Sequence, residues 1–290
     1  MSEPIVRRAY GKINVFLRVL GRREDGYHDI ETVILPVSLY DTVRVDSASG
    51  LTIELEGDPS LVAPLREADP DGNLALVAAR TLAEEAGIDT GAVGALIQVE
   101  KRIPVAGGMA GGSADAAAVL IALNELWACG FDEARLSEIG VRVGSDVPAM
   151  LAGVPVMVKG RGDVLSSVYV TPTPWIVKSL DFQISASDAY AWWDEGGARS
   201  GPDGGVVLAS LETGATGSLG ASIFNDLESG IVARHPEVGE VRDALLAAGA
   251  EAAFVTGSGP TVVALAPHVI HADKIADQVP GSIVVMGPPV

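Results

Sequence analysis

One segment constrains this 290-residue chain more than any other: PVAGGMAGGSADAAA at 104–118. Four of the six residues from 107 to 112 are glycine, and an alanine-rich stretch follows at once. Glycines allow backbone N–H groups to turn towards a ligand, and a helix that begins there adds the positive end of its dipole. We therefore predict a phosphate-binding loop that leads into a long helix at about 113–127.

This loop differs from two familiar nucleotide-binding loops. A Walker A loop requires a lysine immediately before the serine, but the residue before Ser113 is a glycine. The chain also has no GxGxxG fingerprint. The alternative interpretation is a glycine-rich tight turn between a strand and a helix, but the length of the run favours phosphate binding. Ser113 either contacts a phosphate or a magnesium ion through its hydroxyl, or is a plain N-cap of the helix.

Hydrophobic periodicity along the rest of the chain predicts an α+β protein. Strands are predicted at 12–19, 32–39, 42–47, 52–57, 95–100, 251–255, 261–265 and 282–286. Helices are predicted at 73–86, 113–127, 133–143, 238–248 and 271–278. The polar segment 21–29 is typical of a hairpin loop, 153–172 indicates a domain boundary, and the glycine- and serine-rich 196–220 is predicted to be a mobile loop.

Composition limits the class of protein and the kind of partner. Hydrophobic residues make up 48% of the chain and charged residues 20%, which is typical of a globular protein. A single cysteine, Cys129, a polar N-terminal segment and the lack of an apolar stretch of about 18 residues predict a cytoplasmic protein. The net charge of −18 argues against nucleic acid or a membrane as a partner. An anionic small molecule would need locally concentrated cations, unless the acidity serves only solubility.

Two further segments accompany the glycine-rich loop: AYGKINVFL at 9–17 and TGSGPTVVAL at 256–265. By themselves they are typical of a strand with an exposed lysine, Lys12, and of a hairpin turn. In this order, however, the three segments resemble the three motifs of the GHMP kinase superfamily, which contains galactokinase, homoserine kinase, mevalonate kinase and phosphomevalonate kinase. Tyr10 departs from the first motif, where a small residue or proline is expected.

The resemblance implies a two-domain α+β GHMP kinase fold. The N-terminal domain, expected at 1–157, would be ribosomal-protein-S5-like and would hold the phosphate loop in a left-handed β-α-β arrangement. The C-terminal domain, expected at 158–290, would be ferredoxin-like, with the active site in the cleft between the two. We expect a monomer or a weak homodimer.

The resemblance also implies ATP and Mg²⁺ as cofactors, and it assigns the nucleotide contacts. Asn73 and Lys101 would lie near the adenosine, although Asn73 is also a plausible N-cap. The complete expected ATP-binding set is Asn73, Lys101, Pro104, Gly107, Gly108, Met109, Ala110, Gly111, Gly112 and Ser113.

The segment REDGYH at 23–28 resembles the diphosphocytidyl-methylerythritol branch of the superfamily. The resemblance implies that Tyr27 stacks on a cytosine ring and that His28 bonds its polar edge, which suits the chemistry of both side chains. The alternative interpretation is a polar hairpin tip. Further contacts to a small-molecule substrate are expected from Asn14, Ser185 and Gly257.

The segment GSDVP at 144–148 resembles the one that carries the catalytic aspartate of that branch. The resemblance implies that Asp146 accepts or orients the proton of the substrate hydroxyl, while Lys12 stabilises charge between the acceptor and the γ-phosphate. The expected reaction is ATP-dependent phosphorylation of the 2-hydroxyl of the diphosphocytidyl methylerythritol in non-mevalonate isoprenoid synthesis. Without the resemblance, Asp146 would be an ordinary turn residue.

Three alternatives remain open. Another superfamily kinase, such as homoserine or mevalonate kinase, would have no use for a base-binding pocket at Tyr27 and His28. A non-catalytic nucleotide-binding protein would be expected to lack Lys12 or Asp146, and both are present. A structural protein without a phosphate ligand would not be stabilised against thermal unfolding by nucleotide.

Overall fold

The computed structural model describes residues 3–105, 107–196 and 201–289, and within them strands and helices alternate in an α+β architecture. The strands are β1 Ile5–Arg22, β2 His28–Ala48, β3 Leu51–Gly57, β4 Gly94–Lys101, β5 Val156–Gly160, β6 Val164–Ser167, β7 Thr173–Lys178, β8 Phe224–Asn225, β9 Ala252–Val255, β10 Val262–Leu265 and β11 Ile283–Gly287. The helices are α1 Pro59–Glu67, α2 Leu74–Ala86, α3 Gly111–Leu126, α4 Glu133–Val143, α5 Val147–Ala152, α6 Ala186–Gly196, α7 Gly204–Thr213, α8 Thr216–Ser222, α9 Glu228–Arg234, α10 Pro236–Ala247 and α11 Val269–Gln278. The predicted α+β class is confirmed.

The prediction of two separate strands at 32–39 and 42–47 is wrong, since both belong to the continuous strand β2. Asp41, which lies between them, is fully buried. Its carboxylate accepts hydrogen bonds from the backbone N–H groups of Arg102 and Ile103 instead of shaping a turn. A long-range polar contact therefore replaces the local turn that the polar residue suggested.

The prediction of a mobile loop at 196–220 is also wrong for the part of it that the structure describes, which contains α7 and most of α8; residues 197–200 lie outside that part. Asp203 accepts a hydrogen bond from the N–H of Gly205 and so caps the start of α7. Val207 and Leu211 then bury the apolar side of that helix. The high glycine content concealed this pattern.

The chain divides into two compact units that are not continuous in sequence. Unit 1 comprises Met1–Gly11, Leu39–Val105 and Ala110–Gly153, and unit 2 comprises Lys12–Ser38, Ala106–Met109 and Val154–Val290. Strands β1 and β2 and the glycine-rich loop each contribute residues to both units. The proposed single boundary after residue 157 stays a prediction.

Unit 1 is built on β3, β4, the later part of β2, the first part of β1 and covering helices. The later part of β2 pairs antiparallel with β4, and β3 runs parallel to β4. Helix α3 is the centre of its core, because the small side chains of Ala114, Ala116 and Ala117 are buried together with Val119 and Leu120. Alanines allow backbones to approach closely, and alanine is the strongest helix former, so this segment is both helical and buried.

Unit 2 contains a four-stranded antiparallel sheet in the order β11-β7-β10-β9. Helix α10 precedes β9 and α11 follows β10, which gives the β-α-β-β-α-β arrangement of ferredoxin-like folds. Val238 and Leu245 of α10 and Ile275 of α11 pack with the apolar face of this sheet. The predicted ferredoxin-like C-terminal fold is confirmed.

The same unit holds the middle of β1, which carries Lys12 and Asn14. Strand β1 pairs parallel with the short strand β8, with Leu17 opposite Asn225. The early part of β2 pairs with β5. Among the helices that the structure describes, none combines the length and the apolar character required to cross a membrane.

Candidate active site

Lys12 is buried in unit 2, with 4% of the residue exposed. Its ammonium donates hydrogen bonds to Oδ1 of Asn14 and to the carbonyl oxygen of Gly108, both at 2.6 Å. Its backbone N–H donates to the carbonyl oxygen of Met109 at 3.1 Å. The alternative of an exposed strand lysine is therefore wrong, and the first motif holds a cation against the glycine-rich loop.

Asn14 is fixed from three directions. Its Nδ2 donates to Oγ1 of Thr32 at 2.8 Å, its backbone N–H donates to Oγ1 of Thr256 at 2.8 Å, and its Oδ1 accepts from Lys12. Thr32 in turn donates to the carbonyl oxygen of Phe16 at 2.6 Å. Side chains two residues apart on a strand share a face, which is why Lys12 and Asn14 meet. Sequence reasoning assigned no role to Thr32, which carries no distinctive local pattern, or to the side chain of Thr256, although Thr256 begins the third motif segment.

The third motif segment contacts the first motif segment at Gly257. This glycine has a φ of +58°, and a methyl group there would lie 3.1 Å from Oδ1 of Asn14 and 3.3 Å from Nζ of Lys12. The segment is also the turn that connects the antiparallel strands β9 and β10. The hairpin interpretation and the functional one are thus compatible, and glycine lets the turn approach the lysine closely.

Gly108 offers a test of how tightly the loop fits. Its φ is +76°, and a methyl group there would overlap the carbonyl oxygen of Thr256 and lie 3.1 Å from the N of Gly259. Gly50 has a φ of +75° but nothing within 4 Å. We expect Gly108→Ala to be at least about 1 kcal/mol more destabilising than Gly50→Ala, because both have the same backbone strain and only Gly108 adds a clash. Equal losses in thermal unfolding would contradict this fit.

The glycine-rich loop continues into α3 in unit 1. Ala110 is the N-cap residue, with a left-handed φ of +55°, and the first intrahelical bond runs from the N–H of Ala114 to the carbonyl oxygen of Ala110 at 2.9 Å. The N–H groups of the first turn precede that bond, and such groups bind anions well. Ser113 is the third residue of the helix, so the alternative that it is the N-cap is wrong.

Three predicted segments of unit 1 converge at Leu74, the first residue of α2. Its Cδ1 would lie 3.5 Å from a methyl group at Gly112 and 4.0 Å from one at Gly144. Gly112 belongs to the first turn of α3, and Gly144 begins the turn that carries Asp146. The structure therefore brings the starts of α2 and α3 together with the predicted catalytic turn.

Asn73 caps α2, because its Oδ1 accepts a hydrogen bond from the N–H of Ala75 at 3.0 Å. The N-cap interpretation is confirmed, and a nucleotide contact from Asn73 stays a prediction. Asn73 also lines a cavity of about 490 Å³ in unit 1, together with residues of β3 and α1 such as Leu55 and Leu65.

Asp146 lies in a turn immediately before α5 and is partly buried. The next two residues, Val147 and Pro148, are buried. Val147 packs closely on α4, where its Cγ1 would lie 3.0 Å from a methyl group at Gly140. This packing anchors the turn, so the predicted loop position of Asp146 is confirmed while its catalytic role stays a prediction.

Lys101 lies in a buried group of charges in unit 1. Its ammonium pairs with Oδ2 of Asp41 and, at 2.7 Å, with Oδ2 of Asp115. A methyl group at Gly111 would lie 3.5 Å from the same ammonium. The predicted nucleotide contact of Lys101 is not tested, but 4% exposure and two carboxylate partners favour a role as a support behind the first turn of α3.

Burial and the neighbouring charges shift the pKa values of Asp115 and Lys101. Burial raises the pKa of Asp115 to about 7, although Lys101 lowers it. Burial lowers the pKa of Lys101, but the pairs with Asp115 and Asp41 raise it more, so the net shift is upward. Lys101 therefore stays charged at neutral pH, whereas Asp115 titrates near neutral pH.

The titration of Asp115 predicts a pH dependence of stability. An unfolded aspartate has a pKa of about 3.9. The folded protein thus binds more protons than the unfolded one between about pH 4 and pH 7, and its stability falls as pH rises through that window. The slope is at most about 1.4 kcal/mol per pH unit. In thermal unfolding, the stability of wild type should fall relative to that of Asp115→Asn from about pH 5 to about pH 7. The same dependence of melting temperature on pH in both proteins would contradict this.

Tyr27 and His28 have different surroundings in unit 2. Tyr27 is 58% exposed, and the guanidinium of Arg161 lies 4.1 Å from its ring centroid. The His28 ring stacks on Tyr190, with centroids 4.7 Å apart and an interplanar angle of 18°. An aromatic surface therefore exists at this hairpin, as a base-binding pocket requires.

Sequence reasoning missed the partners of His28. Trp193 meets its ring edge-on at 5.7 Å, and Oδ1 of Asp194 lies 3.0 Å from its Nε2. Both partners come from α6, which is far from His28 in the chain. Two adjacent tryptophans in that segment were the only local signal.

Other predicted residues have mainly structural contacts. Ser185 caps α6, since its Oγ accepts a hydrogen bond from the N–H of Asp188 at 3.0 Å and donates to the carboxylate of Asp188 at 2.7 Å. Met109 is fully buried, and its carbonyl oxygen accepts from the N–H of Lys12. Pro104 is partly buried at the start of the loop. Their ligand contacts stay predictions.

Comparison with known proteins shows which family the chain belongs to. Residues 73–154 match the family model for the GHMP kinases N terminal domain, and residues 207–283 match that for the GHMP kinases C terminal. The chain is 40% identical to the 4-diphosphocytidyl-2-C-methyl-D-erythritol kinase of Symbiobacterium thermophilum, over 93% of each chain. It is 38% identical to the enzyme of the same name from Moorella thermoacetica, again over 93% of each.

Solved structures agree. A crystal structure of 4-(cytidine 5'-diphospho)-2C-methyl-D-erythritol kinase is similar with a TM-score of 0.81 and 30% identity, covering 99% of this chain and 100% of the other. The homoserine kinase from Cytophaga hutchinsonii is similar with a TM-score of 0.69 and 20% identity, covering 99% of this chain and 95% of the other. The second likeness indicates the fold alone.

Proposed function

Because this chain belongs to the 4-diphosphocytidyl-2-C-methyl-D-erythritol kinase family of the GHMP kinases, we propose that it transfers the γ-phosphoryl group of ATP to the 2-hydroxyl of 4-diphosphocytidyl-2-C-methyl-D-erythritol. The step belongs to non-mevalonate isoprenoid precursor synthesis. The observation that carries the proposal is the buried Lys12 ammonium, held by Asn14 and by the carbonyl oxygen of Gly108 in the glycine-rich loop.

Phosphoryl transfer requires positioning and charge neutralisation more than covalent chemistry by the protein. The N–H groups in the first turn of α3, which have no acceptor within the helix, bind the phosphates of ATP, and the helix dipole favours their negative charge. Lys12 stabilises the charge that develops between the acceptor oxygen and the γ-phosphate. Because Lys12 is nearly inaccessible to water, its charge is screened less than that of a surface lysine.

Mg²⁺ would accompany the phosphates and neutralise part of their charge when bound. Among the residues that the structure describes, no three histidine, cysteine, aspartate or glutamate side chains form a metal cluster. Mg²⁺ usually keeps water and phosphate oxygens as ligands and takes few from the protein.

Asp146 accepts the proton of the 2-hydroxyl or orients it towards the phosphate. Its place in an anchored turn before α5, beside the first turns of α2 and α3 through Leu74, supports this role. A carboxylate held in place contributes through geometry as well as basicity.

Tyr27 and His28 select the cytosine ring. The Tyr27 ring is largely exposed and would stack on the base in place of, or opposite, the Arg161 guanidinium. His28 lies beside the aromatic face of Tyr190 and would offer the ring nitrogen that does not contact Asp194. Asn14 and Gly257 complete the substrate contacts near Lys12, and the hydroxyl of Ser185 is a further candidate. We also propose a cytoplasmic location, a monomer or weak homodimer, and no nucleic acid or membrane partner.

The experiment that tests this function is ADP release with Mg-ATP and the diphosphocytidyl substrate, beside homoserine, mevalonate and galactose. We expect turnover with the cytidyl substrate alone, and a loss of about 100-fold or more in kcat for Asp146→Asn. The exposed Asp273→Asn on α11 is the matched control and should keep full activity. Turnover with another alcohol would overturn the cytosine assignment, and ATP binding without turnover would indicate a non-catalytic nucleotide-binding protein.

A further inference from the structure

Asn225 lies in β8 in unit 2 and is buried, with 7% of the residue exposed. Its Nδ2 donates to the carbonyl oxygens of Val255 at 2.7 Å and Gly257 at 2.9 Å. Its Oδ1 accepts from the N–H of Leu227 at 2.9 Å. Both donors and the acceptor of the amide are therefore used.

The two carbonyl groups that Asn225 holds flank Thr256. Thr256 is fully buried, its N–H donates to the carbonyl oxygen of Thr261 at 3.1 Å, and its own carbonyl oxygen accepts from the N–H of Gly259 at 3.0 Å. The backbone on both sides of Thr256 is thus fixed. The fixed backbone and full burial limit the directions in which its hydroxyl can point.

That hydroxyl accepts the backbone N–H of Asn14 at 2.8 Å. Gly257, the next residue, places its Cα so close to Lys12 that a methyl group there would lie 3.3 Å from Nζ. The turn 255–257 therefore contacts both members of the Lys12–Asn14 pair. Asn225 binds the two carbonyl oxygens of this turn, while Oε2 of Glu228 accepts the N–H of Val255 at 2.8 Å.

We infer that Asn225 is a positioning residue for phosphoryl transfer: it clamps the turn 255–257 so that Thr256 and Gly257 hold Asn14 and the Lys12 ammonium in place. The inference rests on the proposed function, because Lys12 is the group that Asn225 acts through. Asparagine suits this position because one nitrogen must donate twice while the neighbouring oxygen accepts. Aspartate has almost the same shape but would direct a charged oxygen at two carbonyl oxygens.

The test uses steady-state kinetics of the full chain with ATP and the diphosphocytidyl substrate. We expect Asn225→Asp to lower kcat about 10- to 100-fold with the KM for ATP changed by no more than about twofold. Asn124 is a matched control, since its partly buried amide also bonds backbone, at the carbonyl oxygen and N–H of Phe131. Asn124→Asp should lower the melting temperature without lowering kcat. Equal kcat losses in the two variants would overturn the inference.

A second pair of variants tests the route through Thr256. Thr256→Val removes the hydroxyl and should lower kcat, whereas Thr256→Ser keeps it and should restore most of the activity. If Asn225 acts through this turn, the double variant Asn225→Asp with Thr256→Val should lose no more than about the larger single loss. Losses that multiply would overturn the inference.

The outcomes for the two claims can be told apart with Lys12→Met. If Lys12→Met loses its activity while Asn225→Asp has a normal kcat, only the positioning role is overturned. Normal kcat in Lys12→Met, or no turnover of wild type with the cytidyl substrate, overturns the proposed function and with it the role of Asn225.

Discussion

Replacing Lys12 by methionine is expected to lower kcat by about 10²- to 10³-fold, with the KM for ATP changed only a few-fold. Methionine keeps most of the length and apolar character of the side chain but removes the charge. The ammonium lies between Oδ1 of Asn14 and the carbonyl oxygen of Gly108, and 4% exposure means that water cannot replace it. An interaction made mainly in the transition state lowers kcat rather than raising KM.

The measurement is a steady-state comparison of Lys12→Met with Lys274→Met, whose lysine is exposed on α11. Both substitutions remove one positive charge from a protein of net charge −18. An effect of the protein's overall electrostatic field would therefore appear in both variants. Thermal unfolding with ATP checks that the Lys12 variant is folded and binds nucleotide. A kcat within about threefold of wild type for a folded Lys12→Met would contradict the assignment.

Replacing Lys101 by methionine is expected to lower the free energy of unfolding by about 3–5 kcal/mol. The variant would leave the carboxylates of Asp41 and Asp115 buried together without their common cation. Because Asp115 titrates near pH 7, it can take up a proton and relieve part of the cost in acid. The loss should therefore be larger at about pH 8 than at about pH 6.

The matched control is Lys159→Met, which removes a surface pair between Nζ and Oε1 of Glu31 at 2.9 Å. Exposed pairs contribute no more than about 1 kcal/mol, so this variant should unfold close to wild type. Urea unfolding monitored by circular dichroism gives both free energies. Equal losses in the two lysine variants, or a Lys101 loss that is the same at both pH values, would contradict the account of the buried charges.

Much of the fold was predictable because local pattern and final structure agree. Helix α4 lies at 133–143, as its amphipathic pattern predicts, and Asp132 caps it. Strands β9, β10 and β11 and helices α10 and α11 were also predicted within two residues of their observed ends, whereas β7 was not predicted. Asp41 was one exception, since a polar residue in an apolar run signals a turn unless distant backbone groups satisfy it.

The residues of the candidate site were predictable only where they belong to a sequence motif. The three motif segments identified Lys12, the loop and Gly257, but periodicity gave Lys12 an exposed position, while the structure buries it. Its setting depends on contacts between distant parts of the chain, such as that from Asn14 to Thr256. No local pattern encodes a pairing of that kind, and the stacking of Tyr190 on His28 was hidden for the same reason.

The most direct test of the central claim is phosphorus NMR of wild-type protein mixed with Mg-ATP and 4-diphosphocytidyl-2-C-methyl-D-erythritol. Phosphorylation of the 2-hydroxyl predicts that the γ-phosphate resonance of ATP disappears while a new phosphomonoester resonance grows with equal intensity. The diphosphate resonances of the substrate should persist, because the bond to cytidine is not broken. Appearance of inorganic phosphate and ADP without a phosphomonoester would contradict the claim, since it would mean that the protein hydrolyses ATP without transferring its phosphoryl group.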